Sequence, residues 1–185
     1  MCFSASIVDA YGVPIEAEAT PRKLADPFDY GGGHIDPNKA ADPGLVYDID
    51  PSDYTKFFNC TLGPSDECDT SVGQLYQLNV PSIVVPDLKD IVSVFRTVTN
   101  VGPSNSTYKV FVQPPAGVTV FVEPNLISFD SSKKVETFKV TFVANRKVQG
   151  DYTFGSLTWS DRLNHSVRIP IVVRTIIQDY YADTA

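Results

Sequence analysis

Phe95-Arg96-Thr97-Val98-Thr99-Asn100-Val101-Gly102 reads as a strand that runs into a turn. From Ile91 to Thr99 the chain is rich in β-branched residues, and Asn100 and Gly102 end the run with Pro103 behind them. Beyond it, period-two alternation recurs. Val118, Val120 and Val122 alternate with Thr119, Phe121 and Glu123. Phe138, Val140 and Phe142 alternate with Thr137, Lys139 and Thr141. Val167, Ile169, Ile171 and Val173 alternate with Arg168, Pro170, Val172 and Arg174. Such spacing gives one face of each strand to a core and leaves the other partly wet. Turn signals separate the runs, at Gly102-Pro103, Pro114-Pro115-Ala116-Gly117, Ser131-Ser132-Lys133-Lys134 and Gln149-Gly150-Asp151.

About seven strands are expected, near 91–99, 107–113, 117–123, 126–129, 135–143, 151–159 and 165–177. The fold class is therefore mainly β, a sandwich of fibronectin type III or immunoglobulin shape. Trp159 is expected in its core. Pro170, inside a strand, is expected at an edge or bulge because it cannot donate to a ladder. Residues 1–60 read as loops with one short helix, because proline recurs from Pro14 to Pro51. That helix starts at Asp50-Pro51-Ser52-Asp53, where Asp50 caps and Pro51 takes the first helical position. Tyr54, Phe57 and Phe58 give it an apolar face that wants a partner surface. Gly31-Gly32-Gly33 is expected as a turn that lets two backbones approach closely. The chain divides into a lead-in at 1–60, a connector at 61–80, a sandwich at 81–178 and a tail at 179–185.

Composition narrows the function. Among 185 residues, 43% are hydrophobic and only 20% charged, which suits an ordered globular protein. A net charge of −7 without a basic stripe makes nucleic acid and anionic membranes poor partners. No apolar run reaches membrane-spanning length. Three sequons, at Asn59, Asn105 and Asn164, point to a secretory history. The N-terminus has neither the basic start nor the apolar stretch of a signal peptide, so the expectation is a chain cut from something larger. Cys60 and Cys68 can bridge a small loop, with free thiols as the alternative, and Cys2 is left over.

Several stretches, read in order, resemble plant subtilisin-like serine proteases. Tyr30-Gly31-Gly32-Gly33-His34-Ile35-Asp36-Pro37 is similar to a segment near the end of the peptidase domain. Ala41-Asp42-Pro43-Gly44-Leu45-Val46-Tyr47-Asp48 matches its continuation nearly letter for letter, and Asp53-Tyr54-Thr55-Lys56-Phe57 the helix after that. Leu78-Asn79-Val80-Pro81-Ser82, Arg96 to Gly102 and Gly155-Ser156-Leu157-Thr158-Trp159 resemble the β domain that follows. The resemblance implies an Asp-His-Ser endopeptidase family. Yet the Gly-Thr-Ser-Met-Ala segment of the catalytic Ser, and the segments of the catalytic His and Asp, are not in the sequence. The expectation is a non-catalytic C-terminal portion, not an enzyme on its own, with no catalytic residue, metal or cofactor. Its partner would be the peptidase domain or another protein surface, and the family setting is extracellular or cell wall. The alternative is an independent extracellular binding module of fibronectin type III kind.

Other chemistry is weaker. His34 and His165 are the sequence's histidines, so each is weighed as a general base. His34 reads better as part of a structural loop, and His165 as a solvated turn residue. Asp48-Ile49-Asp50-Pro51-Ser52-Asp53 lacks the mid-loop Gly and closing Glu of a calcium loop.

Overall fold

The computed structural model describes residues 5–18, 20–55, 75–146, 148–161 and 163–177. Cys2, Phe57, Phe58, Asn59, Cys60, Cys68 and the 179–185 tail lie outside the described residues.

The seven expected strands form, within a residue or two of the expected bounds: β5 (Ile91–Asn100), β6 (Ser106–Gln113), β7 (Val118–Glu123), β8 (Leu126–Phe129), β9 (Val135–Ala144), β10 (Tyr152–Ser160) and β11 (Ser166–Thr175). Two further strands join them, β3 (Leu45–Val46) and β4 (Ile83–Leu88). One sheet runs β4-β11-β10-β6-β8 and the other β3-β5-β9-β7. The alternating residues do what their spacing demands. Phe138, Val140 and Phe142 point into the core from β9, and Val167, Ile169, Ile171 and Val173 from β11. Trp159 is fully buried, edge-on to Phe138 at 5.1 Å between ring centroids.

Pro170 departs from the expectation. β11 is an inner strand, flanked by β10 and the parallel β4. The ladder to β4 begins at Ile171, so Pro170 sits just before it and its missing N–H breaks no bond to that neighbour.

The lead-in is more ordered than a loop with one helix. A small hairpin, β1 (Glu16–Ala17) with β2 (Lys23–Leu24), precedes α1 (Pro27–Tyr30) and α2 (Pro37–Ala41), and residues 51–55 are helical. All three helical turns carry the same signal, an Asp followed by Pro. Asp26 accepts from Phe28 N–H, Asp36 from Asn38 and Lys39 N–H, and Asp50 from Ser52 N–H. Gly33, at φ +123°, brings its backbone so near Ser6 that an added Cβ would lie 2.6 Å from the Ser6 carbonyl oxygen. The expected close approach at the triple glycine is thus real, with His34 and Ser6 exchanging main-chain hydrogen bonds at 2.7 Å.

The lead-in also enters the sandwich. Leu45 pairs with Asn100 and Val46 with Thr99, while Leu45 and Tyr47 are buried in the same core as Trp159. A strand from the 1–60 stretch thus joins a sheet of the sandwich. On the opposite sheet, Phe28 of α1 stands edge-on to Tyr152 at 5.1 Å and to Phe154 at 5.6 Å. It lines, with Pro27, Pro81, Val84, Pro170 and Val172, a groove of about 310 Å³.

A Leu45→Ala substitution is expected to cost about 2–5 kcal/mol, the range for deleting a fully buried aliphatic side chain. Urea unfolding of the whole chain checks this. A loss below about 1 kcal/mol would mean that β3 is a surface attachment and not part of the core.

Candidate functional site: the junction of lead-in and sandwich

Three sequence motifs far apart in the chain meet along one edge of β5. The first is Asp42-Pro43-Gly44-Leu45-Val46. Gly44 has φ +75°, and a Cβ there would lie 2.7 Å from the Tyr108 hydroxyl and 2.8 Å from Cβ of His165. Both backbone conformation and space call for glycine. The Gly44 carbonyl, so placed, accepts from the N–H groups of Val101 (2.9 Å) and Gly102 (3.1 Å). Asn100 holds that turn from its other side: its Nδ2 donates to Pro103 O and its Oδ1 accepts from Gly102 N–H.

The second motif is Leu78-Asn79-Val80-Pro81-Ser82. The Asn79 side chain acts as an artificial strand residue. Its Oδ1 accepts from Thr97 N–H at 2.8 Å and its Nδ2 donates to Thr97 O at 2.9 Å, so one amide satisfies both main-chain groups of Thr97. The same Nδ2 donates to Asp48 O, which ties the lead-in to the connector.

The third is Arg96, only 1% exposed. Its Nε donates to Val80 O, Nη1 to Tyr76 O and Phe95 O, and Nη2 to Ser82 O, at 2.8–3.1 Å. Burial pushes its pKa down to about 10, the Tyr47 phenol opposing slightly, so the guanidinium is charged at neutral pH. Burial likewise drives the Tyr47 phenol well above its ordinary value.

At the far end of the junction lies His165. Its expected place in solvent is wrong: the residue is 8% exposed. Nδ1 lies 2.7 Å from Asp161 Oδ2 and Nε2 3.1 Å from Asp42 Oδ2, the latter an ion-pair contact rather than a well-aligned hydrogen bond. Asp161 also accepts from the N–H groups of Leu163 and His165, which shapes the β10–β11 loop. The signal available in the sequence was the Asp161–His165 spacing. Its partner Asp42 had none, because only the fold brings it there.

The other expected site residues are dispersed. His34 is exposed and lines, with Ser6, Asp9 and Asp36, a cleft of about 520 Å³. The Ser6 hydroxyl there is engaged with the backbone of Val8 on both counts, donating to its carbonyl and accepting from its N–H. Both ring nitrogens of His165 face carboxylates, so neither is placed to take a proton from a hydroxyl. Asn105 and Asn164 are exposed in turns. Asp50 caps a helical turn, as its position before Pro51 suggests. Among the described residues no group of three or more His, Cys, Asp or Glu side chains is arranged to hold a metal.

Comparison with known proteins follows the same outline. A family model described as "Fibronectin type-III domain" matches residues 77–173. Two Arabidopsis thaliana proteins, subtilisin-like protease SBT3.11 and subtilisin-like protease SBT3.8, are 46% identical over 191 residues and 47% identical over 188. Those alignments cover 96% and 94% of this chain, but 25% and 24% of the relatives, so the chain spans about a quarter of their length. Among solved structures, the ASH/PapD-like domain of human CEP192 aligns with 54% of this chain at 14% identity and a TM-score of 0.41, too distant to carry an argument.

Replacing Arg96 with Leu would leave the carbonyls of Tyr76, Val80 and Ser82 without their donor in a buried setting. The expected loss is about 3 kcal/mol or more, against about 1–3 kcal/mol for Asn79→Leu. Equilibrium unfolding in urea compares the two, and equal, small losses would show that water replaces the guanidinium without cost.

Proposed function

The chain belongs to the plant subtilisin-like proteases and carries their fibronectin type-III domain, and on that premise we propose that it is a non-catalytic supporting unit of such an endopeptidase. Its task is to pack against the peptidase domain and hold that domain's last segment in place. The observation that carries this reading is β3. Residues 45–47 precede the stretch matched by the domain family, yet Leu45 and Val46 pair with β5, and Leu45 and Tyr47 are buried in the sandwich core. Whatever is joined ahead of Asp42 is therefore tied to the sandwich by a rigid seam and not by a flexible linker.

The chemistry of the histidines supports the non-catalytic half of the proposal. A serine-protease base needs one ring nitrogen on the nucleophile and the other on an orienting acid. His165 turns both toward carboxylates, and His34 stands exposed in a cleft shared with Ser6, whose hydroxyl is already bonded to the Val8 backbone. The exposed Phe28 beside the Pro170–Val172 groove offers an apolar surface continuous with the lead-in. An extracellular or cell-wall setting accords with the exposed sequons at Asn105 and Asn164. No described helix is long and apolar enough to cross a membrane. The rival reading, an independent extracellular binding module, needs no peptidase partner.

A chimera separates the two. The matching quarter of SBT3.11 is replaced by this chain, and a second version lacks that quarter altogether. The chimera is expected to yield active protease, and the deletion to lose yield or activity several-fold. The chain alone is expected not to label with a fluorophosphonate probe, which reports activated serine. Labelling of the chain alone, or full activity of the deletion, would overturn the proposal.

A further inference from the structure

We propose that His165 is a pH-dependent latch, whose doubly protonated ring joins Asp42 of the lead-in to Asp161 of the β10–β11 loop and lets go of Asp42 when it loses a proton. A carboxylate faces each ring nitrogen. Asp161 takes one ring nitrogen at 2.7 Å and Asp42 faces the other at 3.1 Å. A neutral imidazole has a single N–H, so one nitrogen lone pair would then point at a carboxylate. Asp161 is the partner that is kept, because it is 9% exposed and also bound to two backbone N–H groups. Asp42 is 69% exposed and follows α2, so it is the partner that leaves.

Three titratable groups border the ring: Asp42 from the lead-in, Asp161 from its own loop and Tyr108 from β6. Burial is the largest influence on His165 and opposes its charge. The hydrogen bond to Asp161 and the facing Asp42 carboxylate together outweigh it, and the pKa lies above the ordinary 6.5. Asp161 meets the same penalty, but its hydrogen bonds, first from His165 and then from the backbone, hold it below the usual carboxylate range. Burial, and then the Asp161 charge, push the Tyr108 phenol up to about 12, so it stays neutral while the histidine titrates. A group whose pKa rises on folding stabilises the fold most below its unfolded value. That contribution is lost as the pH climbs through the folded value. The latch is therefore closed in mild acid and opens as the pH climbs through the raised pKa of His165.

Opening has a local consequence. Two residues beyond Asp42, Gly44 carries the carbonyl that Val101 and Gly102 bond. Release of Asp42 loosens that anchor while Leu45 and Tyr47 stay buried. The inference rests on the junction's geometry and not on the protease reading, so an inactive chimera would leave it standing.

The test is an NMR titration of the whole chain, which has two histidines, with a His34→Gln variant assigning the signals. His165 is expected to titrate above 6.5, and Asp42→Asn to lower its midpoint by about half a pH unit or more. Amide exchange gives a second readout. Below the midpoint, Val101 and Gly102 N–H should exchange several-fold faster in Asp42→Asn than in the native chain, and above it the two should converge. A His165 midpoint at or below 6.5 overturns the proposal. So does an elevated midpoint with exchange at Val101 and Gly102 unchanged by the substitution, since the ring would then titrate without holding the segment.

Discussion

A guanidinium buried among main-chain carbonyls is the constraint on which the junction depends. Arg96 comes from a core-facing position of β5, where its charge would cost several kcal/mol if it were left unpaired. It is satisfied by the carbonyl oxygens of Tyr76, Phe95, Val80 and Ser82, which belong to the strand itself and the connector before it. Binding carbonyls rather than a carboxylate has a structural effect. A carboxylate would fix one side chain, whereas these bonds fix the path of the backbone from 76 to 82. That path delivers β4 to its parallel seat beside β11. A lysine, with three donors on one atom, cannot spread its bonds over so wide an arc.

The same path solves a problem of edges. β5 pairs along its length with β9 on one side, but on the other β3 supplies only two residues. A long open edge invites pairing with other chains. Here side chains stand in for the missing strand: Asn79 occupies both main-chain groups of Thr97, and Gln77 Nε2 donates to Ser93 O. The edge is closed by amides from the connector, then by β3, then by the Gly44 carbonyl. Two connector side chains, Gln77 and Asn79, thus extend the work of a two-residue strand along that edge.

Much of the sandwich was legible in the sequence because period-two alternation is a local signal. Phe138, Val140 and Phe142 needed no knowledge of their partners. β4 escaped notice because Ile83-Val84-Val85 does not alternate and Pro86 argues against a strand. The proline is tolerated where the β4–β11 register shifts, and its carbonyl is used by Arg174 Nε. β3 escaped because two residues carry no period at all. The lead-in helices were legible in principle, since Asp26-Pro27 and Asp36-Pro37 repeat the pattern read correctly at Asp50-Pro51. Proline both starts and breaks helices, so its abundance alone does not mark a helix start. Asp42-Pro43 shows the limit of that signal. The same dipeptide starts no helix there, because Gly44 turns the chain into the left-handed region instead. His165 was misplaced because a sequon beside a turn suggests solvent. Asn164 is indeed exposed, yet its neighbour points inward, as consecutive residues entering a strand do.

A polar junction also fixes what an apolar one would leave loose. Leu45 and Tyr47 supply burial, but apolar contacts alone allow a two-residue strand to slide along its neighbour. A slip by one residue would turn Leu45 outward and carry Gly44 away from the narrow space between Tyr108 and His165. It would also leave the N–H groups of Val101 and Gly102 facing no acceptor, and Asn79 without the Asp48 carbonyl. Each directional bond penalises the same displacement, so together they select one register. Burial therefore provides the affinity of β3 for the sandwich, while the Gly44 carbonyl, the Asn79 amide and the paired carboxylates at His165 set its position.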